Sequence, residues 1–163
     1  MTSFSAKTHA DDVVLARRGE IWAALVDPVL MARLTPFLRN ITADGDHWLW
    51  EMTGLNVLGV KVVPAFTERM VFTEPERIEF HHDPPASANE KAGVEGWYSL
   101  TPADAGDEAA TRLVTELRIT LDLPLPKAAG PAVRAAMRKV VDAMGDRFSQ
   151  RLLDHLGAEE RSA

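Results

Sequence analysis

One carboxylate stands out of place along the chain. Over residues 59–72 the even positions read Val60, Val62, Pro64, Phe66, Glu68, Met70 and Phe72, against Lys61, Val63, Ala65, Thr67, Arg69 and Val71 at the odd ones. Side chains alternate faces along a strand, so Glu68 falls on the apolar face. A carboxyl taken out of water there has a raised pKa and suits proton transfer, which makes Glu68 an acid/base candidate. His82 shares the parity of Ile78 and Phe80. It would bring an imidazole that titrates near neutrality to the rim of the same site, as a base or to orient a ligand carbonyl. Trp48, Trp50 and Trp97 could stack on a planar or polycyclic ligand, each ring pair gaining about 0.5–1.5 kcal/mol beyond area burial. Tyr98, the only tyrosine, and Thr115, a hydroxyl on an otherwise leucine-rich face, are the neutral hydrogen-bonding candidates.

Each residue also has a plainer reading. A bulge near Pro64 would turn Glu68 to solvent and Thr67 or Arg69 inward, and Arg69 or Arg112 could instead pair with the carboxylate. His82 can be a structural histidine at a strand end, and the tryptophans can be core that needs no ligand. The histidines at 9, 47, 81, 82 and 155 lack metal-binding spacing, and neighbours such as His81 and His82 point to opposite faces. No metal and no cofactor are expected. Phosphate-binding glycine loops and the Gly-x-Ser-x-Gly elbow are absent from the sequence.

The chain has 163 residues, 46% hydrophobic and 26% charged, a composition suited to one globular domain. At that length folding hides roughly 70% of the unfolded surface, enough for a core without crosslinks. Zero cysteines exclude disulfides, thiolate metal sites and a cysteine nucleophile. The N-terminal residues lack the charged start and apolar block of a signal peptide, and no stretch approaches the ~18 apolar residues of a membrane span. A cytoplasmic protein with no stable membrane insertion is expected. The net charge of -6 repels phosphate backbones, so nucleic acid is not an expected partner. The basic residues of the C-terminal segment are interleaved with Asp142, Asp146 and Asp154, the pattern of a solvated face.

The elements that would position these residues follow from periodicity. Residues 4–16 suit a first strand. Ile21, Trp22, Leu25 and Val26 recur at helical spacing, and Asp27-Pro28 caps and starts a second short helix that carries Val29, Leu30 and Leu34 inward and ends near Pro36. From residue 48 the period is two, with Trp48, Trp50 and Met52 on one face. Pro64 marks an edge, a bulge or a bend that divides residues 59–72. Further strands fall at 77–83, at 94–100 with its inward parity open, and at 111–123, where Leu113, Thr115, Leu117, Ile119, Leu121 and Leu123 alternate with polar residues. Residues 131–156 place Val133, Met137, Val140, Met144, Phe148 and Leu152 on one helical stripe, with Gly157 as the stop. The domain runs over 1–157, and residues 158–163 are expected to fray.

This order resembles the helix-grip fold of the START and polyketide-cyclase superfamily, also called SRPBCC. The run Gly19-Glu-Ile-Trp-Ala-Ala-Leu-Val-Asp-Pro28-Val-Leu-Met-Ala-Arg-Leu-Thr-Pro-Phe37 looks like its x-x-Val-Trp-x-x-Leu-x-Asp-Pro opening. The resemblance implies an α+β fold: a curved antiparallel sheet wrapped around a long C-terminal helix, with two short helices after the first strand. Its members include lipid carriers, cyclases, dehydratases and assembly factors. A curved sheet under one helix leaves an apolar hollow unless large side chains fill it, and thioethers such as Met137 and Met144 suit either a plastic core or a variable ligand. The expected lining is Trp48, Trp50, Met52, Val62, Phe66, Glu68, Met70, Phe80, His82, Trp97, Tyr98, Thr115, Leu117, Met137, Val140, Met144 and Phe148. The expected partner is a hydrophobic or aromatic small molecule, lipid or polyketide-like. Two alternatives stay open: an enzyme of the cyclase or dehydratase kind using Glu68 or His82 as acid/base, and a chaperone-activating or assembly adaptor. A homodimer also stays open.

Overall fold

In a computed structural model the described residues are 1–104, 106–158 and 160–162. Strand β1 (Thr2–Val14) leads into helix α1 (Arg18–Leu25) and helix α2 (Pro28–Leu34). Ile21 and Leu25 are fully buried from one side of α1, each worth about 1.5–3 kcal/mol of apolar burial. The boundary between the helices is set by Asp27, whose carboxylate accepts from the N–H groups of Val29 and Leu30 at 3.0 and 3.2 Å while Pro28 fills the first helical position. Leu30 and Leu34 turn inward as expected. Val29 does not, because the buried side of so short a helix is taken up by Leu30, Met31 and Leu34.

The sheet is antiparallel throughout. After α2 come β2 (Leu38–Asp44), β3 (His47–Met52), β4 (Leu55–Val57), β5 (Val60–Val62), β6 (Ala65–Thr73), β7 (Arg77–His82), β8 (Ala92–Asp104), β9 (Asp107–Leu123), helix α3 (Gly130–Leu156) and β10 (Glu160–Ser162). Eight strands run in the order β10-β1-β9-β8-β7-β6-β3-β2, and β4 pairs with β5 as a separate hairpin. Pro64 divides the 59–72 segment between the two sheets: it cannot donate to a ladder, and β5 ends before it while β6 begins after it. The β4–β5 turn is Leu58-Gly59, both at positive φ as a two-residue hairpin loop requires, and Asn56 Oδ1 accepts from Gly59 N–H at 2.8 Å.

Strand β8 settles the parity left open at 94–100. It extends to Asp104 and pairs with β9 over its whole length, with Tyr98 opposite Thr115 and Leu100 opposite Leu113. Ala92, Val94, Tyr98 and Leu100 therefore share the inner face with the leucines of β9. Helix α3 packs on β1, α1, α2 and the β4 hairpin. Val133, Met137 and Leu152 are buried along its stripe, and Gly157 closes it in the left-handed conformation at φ 61°. The tail expected to fray from Ala158 carries β10, which runs antiparallel beside the end of β1 because that sheet edge leaves N–H and C=O groups open. Glu159 and Ala163 lie outside the described residues.

Candidate functional site

Between α3 and the concave side of the sheet lies a cavity of about 880 Å³. Trp48, Trp50 and Met52 reach it from β3, Phe66, Glu68 and Met70 from β6, and Phe80 from β7. Tyr98 comes from β8, Thr115 and Leu117 from β9, and Met137, Val140, Met144 and Phe148 from α3. The pairing explains the convergence. Trp48 stands opposite Glu68 and Trp50 opposite Phe66, while Met70 faces Phe80, so one row of inner positions runs across three strands. The rings pack in two groups: Trp50 is stacked on Phe66 at 5.9 Å and 12° and meets Trp48 at 6.4 Å, and Phe80 meets Tyr98 at 5.3 Å.

Glu68 is buried, with 3% of its surface exposed. Burial alone pushes its carboxyl well above the usual range, since the charged form loses hydration and gains no counter-ion. The register slip that would have turned it to solvent does not occur, and neither arginine reaches it. Arg112 is bound to Asp11 on the outer face, and Arg69 stands one position along β6 with its Cα opposite His47 and His81. Burial also raises the Tyr98 hydroxyl, with the nearby Glu68 charge adding to it. The indole N–H of Trp50 is buried without a hydrogen-bond partner among the described residues.

Three expected residues lie elsewhere. His82 is opposite Glu68 in register, but its Nε2 is hydrogen-bonded to Glu90 Oε1 at 2.9 Å and its ring lies over Gly93. Glu90 is held in turn by Thr67, whose N–H and hydroxyl donate to it at 2.7 and 2.6 Å. That network fastens the chain after β7 to the start of β6 and keeps the His82 ring off the cavity wall. Trp97 faces outward under the Arg77 guanidinium, 4.7 Å from ring centroid to Cζ, because it alternates with Tyr98 along β8. Val62 belongs to the β4–β5 hairpin and lines a separate outer groove of about 660 Å³.

Other cavity residues escaped the periodicity. Leu55 and Val57 come from β4 and Leu38 from β2, strands too short or too polar to announce themselves. Thr8, Ala10 and Asp12 come from β1, where an alternating run of small residues was the available signal. The mouth between β1 and α3 is polar, with His9, Asp12, Asp142 and Asp146 along it. Among the described residues no cluster of His, Asp or Glu could hold a metal ion, and no helix is long and apolar enough to cross a membrane.

A curved antiparallel sheet gripping one long helix, with two short helices after the first strand, is the helix-grip fold of START and polyketide-cyclase proteins, and this chain has it. Three solved structures illustrate the likeness. An aromatase/cyclase from a Streptomyces species superposes with a TM-score of 0.67 at 13% identity, over 94% of both chains. A START superfamily protein from Mycobacterium smegmatis gives 0.63 at 14% identity, over 93% of this chain and 97% of that one. An HSP90 activator from Plasmodium falciparum gives 0.57 at 11% identity, over 96% and 99%. No family model matches the chain, and no curated protein matches it in sequence.

Proposed function

We propose that this chain binds a hydrophobic or aromatic small molecule, lipid or polyketide-like, in the cavity between the sheet and α3. The supporting observation is the cavity itself: about 880 Å³, walled by aromatic, Leu, Val and Met side chains with a few polar groups among them. Sites for small molecules commonly measure about 300–1,000 Å³ and have this mixture. The driving force is removal of apolar surface from water, roughly 25 cal/mol per Å². Met137, Met144 and Met70 can re-pack around ligands of different outline.

A second reading, an enzyme of the cyclase or dehydratase kind, draws on the raised carboxyl of Glu68, the wall residue best suited to move a proton. His82 does not line the cavity, its ring lying against Gly93, so it has no part in that scheme. The adaptor reading needs an exposed apolar face; Val29 on α2 and Phe72 on β6 are exposed on different elements, while Met1 and Val63 are exposed along the outer groove beside the β4–β5 hairpin. Native mass spectrometry of protein purified from its own host tests the proposal. A retained small molecule, displaced by an environment-sensitive fluorescent lipid, is the expected result. A co-purifying protein with no dye uptake would favour the adaptor instead, and turnover abolished in Glu68→Gln would favour the enzyme.

A further inference from the structure

The polar groups on the cavity wall have a common character. Trp50 can only donate, and its N–H is buried without an acceptor among the described residues. Thr115 carries a hydroxyl opposite Tyr98 across the β8–β9 pair. Tyr98 meets Phe80 at 5.3 Å between ring centroids, and at Gly96, opposite Phe80, a Cβ would run into the Glu116 carbonyl oxygen and lie 3.0 Å from the Phe80 ring. The tyrosine is near enough to Glu68 for their charges to interact.

No lysine or arginine lines the cavity among the described residues. The other ionisable wall groups are His9, Asp12, Asp142 and Asp146, contributed by β1 and α3. His9 lies 3.9 Å from Glu116, and the remaining three are acidic, so none supplies Glu68 with a counter-ion. Outside the wall, the other ionisable groups on β6 and the two strands paired with it are Arg69 on β6, His47 and Glu51 on β3, and Arg77, Glu79, His81 and His82 on β7; His82 is engaged by Glu90 and His47 by Asp46 and Asp83. Burial in such surroundings favours the neutral form of the carboxyl, and a neutral acid donates.

We propose that the cavity selects a neutral ligand bearing a carbonyl or similar acceptor oxygen, which takes hydrogen bonds from the Glu68 carboxyl and the Tyr98 hydroxyl. This rests on the cavity being a binding site and names the chemistry of what enters it. A cationic amine is the opposing choice, since carboxylate and aromatic rings together attract cations. It is disfavoured because an ion pair buried there would have to offset the desolvation of both charges.

Three probes of nearly equal shape separate these cases: methyl naphthyl ketone, its hydrocarbon isostere isopropylnaphthalene, and the amine isostere naphthylethylamine, each titrated against tryptophan fluorescence. The ratio of ketone to hydrocarbon affinity should fall about five- to tenfold in Glu68→Met and in Tyr98→Phe, the loss expected for one hydrogen bond. Glu68→Gln keeps an N–H donor and should hold the ratio. The carbonyl stretch of bound ketone should be red-shifted in the wild type and less so in Tyr98→Phe, a readout that stands even if Glu68→Met does not fold. A ratio unmoved in every folded variant, or an amine preference lost in Glu68→Gln, overturns the inference and leaves the binding site in place. If the hydrocarbon itself does not bind, both readings fall together.

Discussion

Glu68 and His82 stand directly opposite each other across the β6–β7 pair, yet their side chains serve different ends. The carboxyl enters the cavity without a partner among the described residues, while the imidazole is tied 2.9 Å from Glu90 and lies against Gly93. Register alone would make them an acid/base pair. Glu90, contributed by the chain between β7 and β8, separates their roles.

The first prediction concerns Glu68 and pH. A carboxyl whose folded pKa exceeds its unfolded value binds more protons in the folded state, so stability falls as pH rises from about its ordinary 4.5 to the folded value, then levels off. Each tenfold change in proton affinity is worth about 1.4 kcal/mol. Urea unfolding of the wild type and Glu68→Gln across that range should show the difference between them growing in favour of the variant as pH rises. Parallel curves would mean that the carboxyl is not an uncompensated buried acid.

Filling the cavity should abolish binding without unfolding the chain. Met144→Trp adds bulk to the α3 wall, and the affinity for a fluorescent apolar dye should drop at least about tenfold. Overpacking is expected to cost about 1–3 kcal/mol at most, because the new ring has empty volume to enter. Unchanged dye affinity in a folded variant would place the dye elsewhere.

Gly93 is required by close approach. A Cβ at that position would lie 2.6 Å from Nδ1 of His82, whose ring cannot retreat without leaving Glu90. Gly93→Ala should cost about 1–3 kcal/mol, and the loss should shrink when His82→Ala is added, the signature of a shared contact. Additive losses in chemical denaturation would contradict the contact.

On the outer face His47 is hydrogen-bonded to Asp46 at 2.9 Å and to Asp83 at 2.8 Å. Its imidazole is raised above the ordinary 6.5, chiefly by Asp83, and Asp83 is lowered below 3.8, chiefly by His47. The histidine's contribution is complete below 6.5 and lost as pH climbs through its folded value. The aspartate's is present above 3.8 and lost as pH drops through its own. The contact is therefore best formed between those limits. In an NMR titration Asp83→Asn should return His47 toward 6.5, and an unaltered titration would assign the elevation to Asp46 instead.

Much of this architecture is legible in the sequence. The cap at Asp27-Pro28, the alternation of β9, the stripe of α3 and the break at Pro64 depend on neighbours a few residues away, so local periodicity carries them. Glu68 was legible for the same reason, as a polar residue on an apolar parity. Strand β4 was not, since three residues cannot display a period, and its turn is Leu-Gly instead of the more telling Asn-Gly.

Tertiary structure decided the rest, because it depends on which strand lies beside which. Trp97 faces outward only because β8 pairs with β7 and β9 in one register, and Val62 leaves the cavity only because β5 pairs with β4 and not with the main sheet. The size of the hollow is likewise a property of assembly: it follows from how far the curved sheet stands from α3, a distance no residue specifies alone. Parity along one strand is intrinsic to the chain, but the volume enclosed and the partner met across a strand end belong to the folded whole.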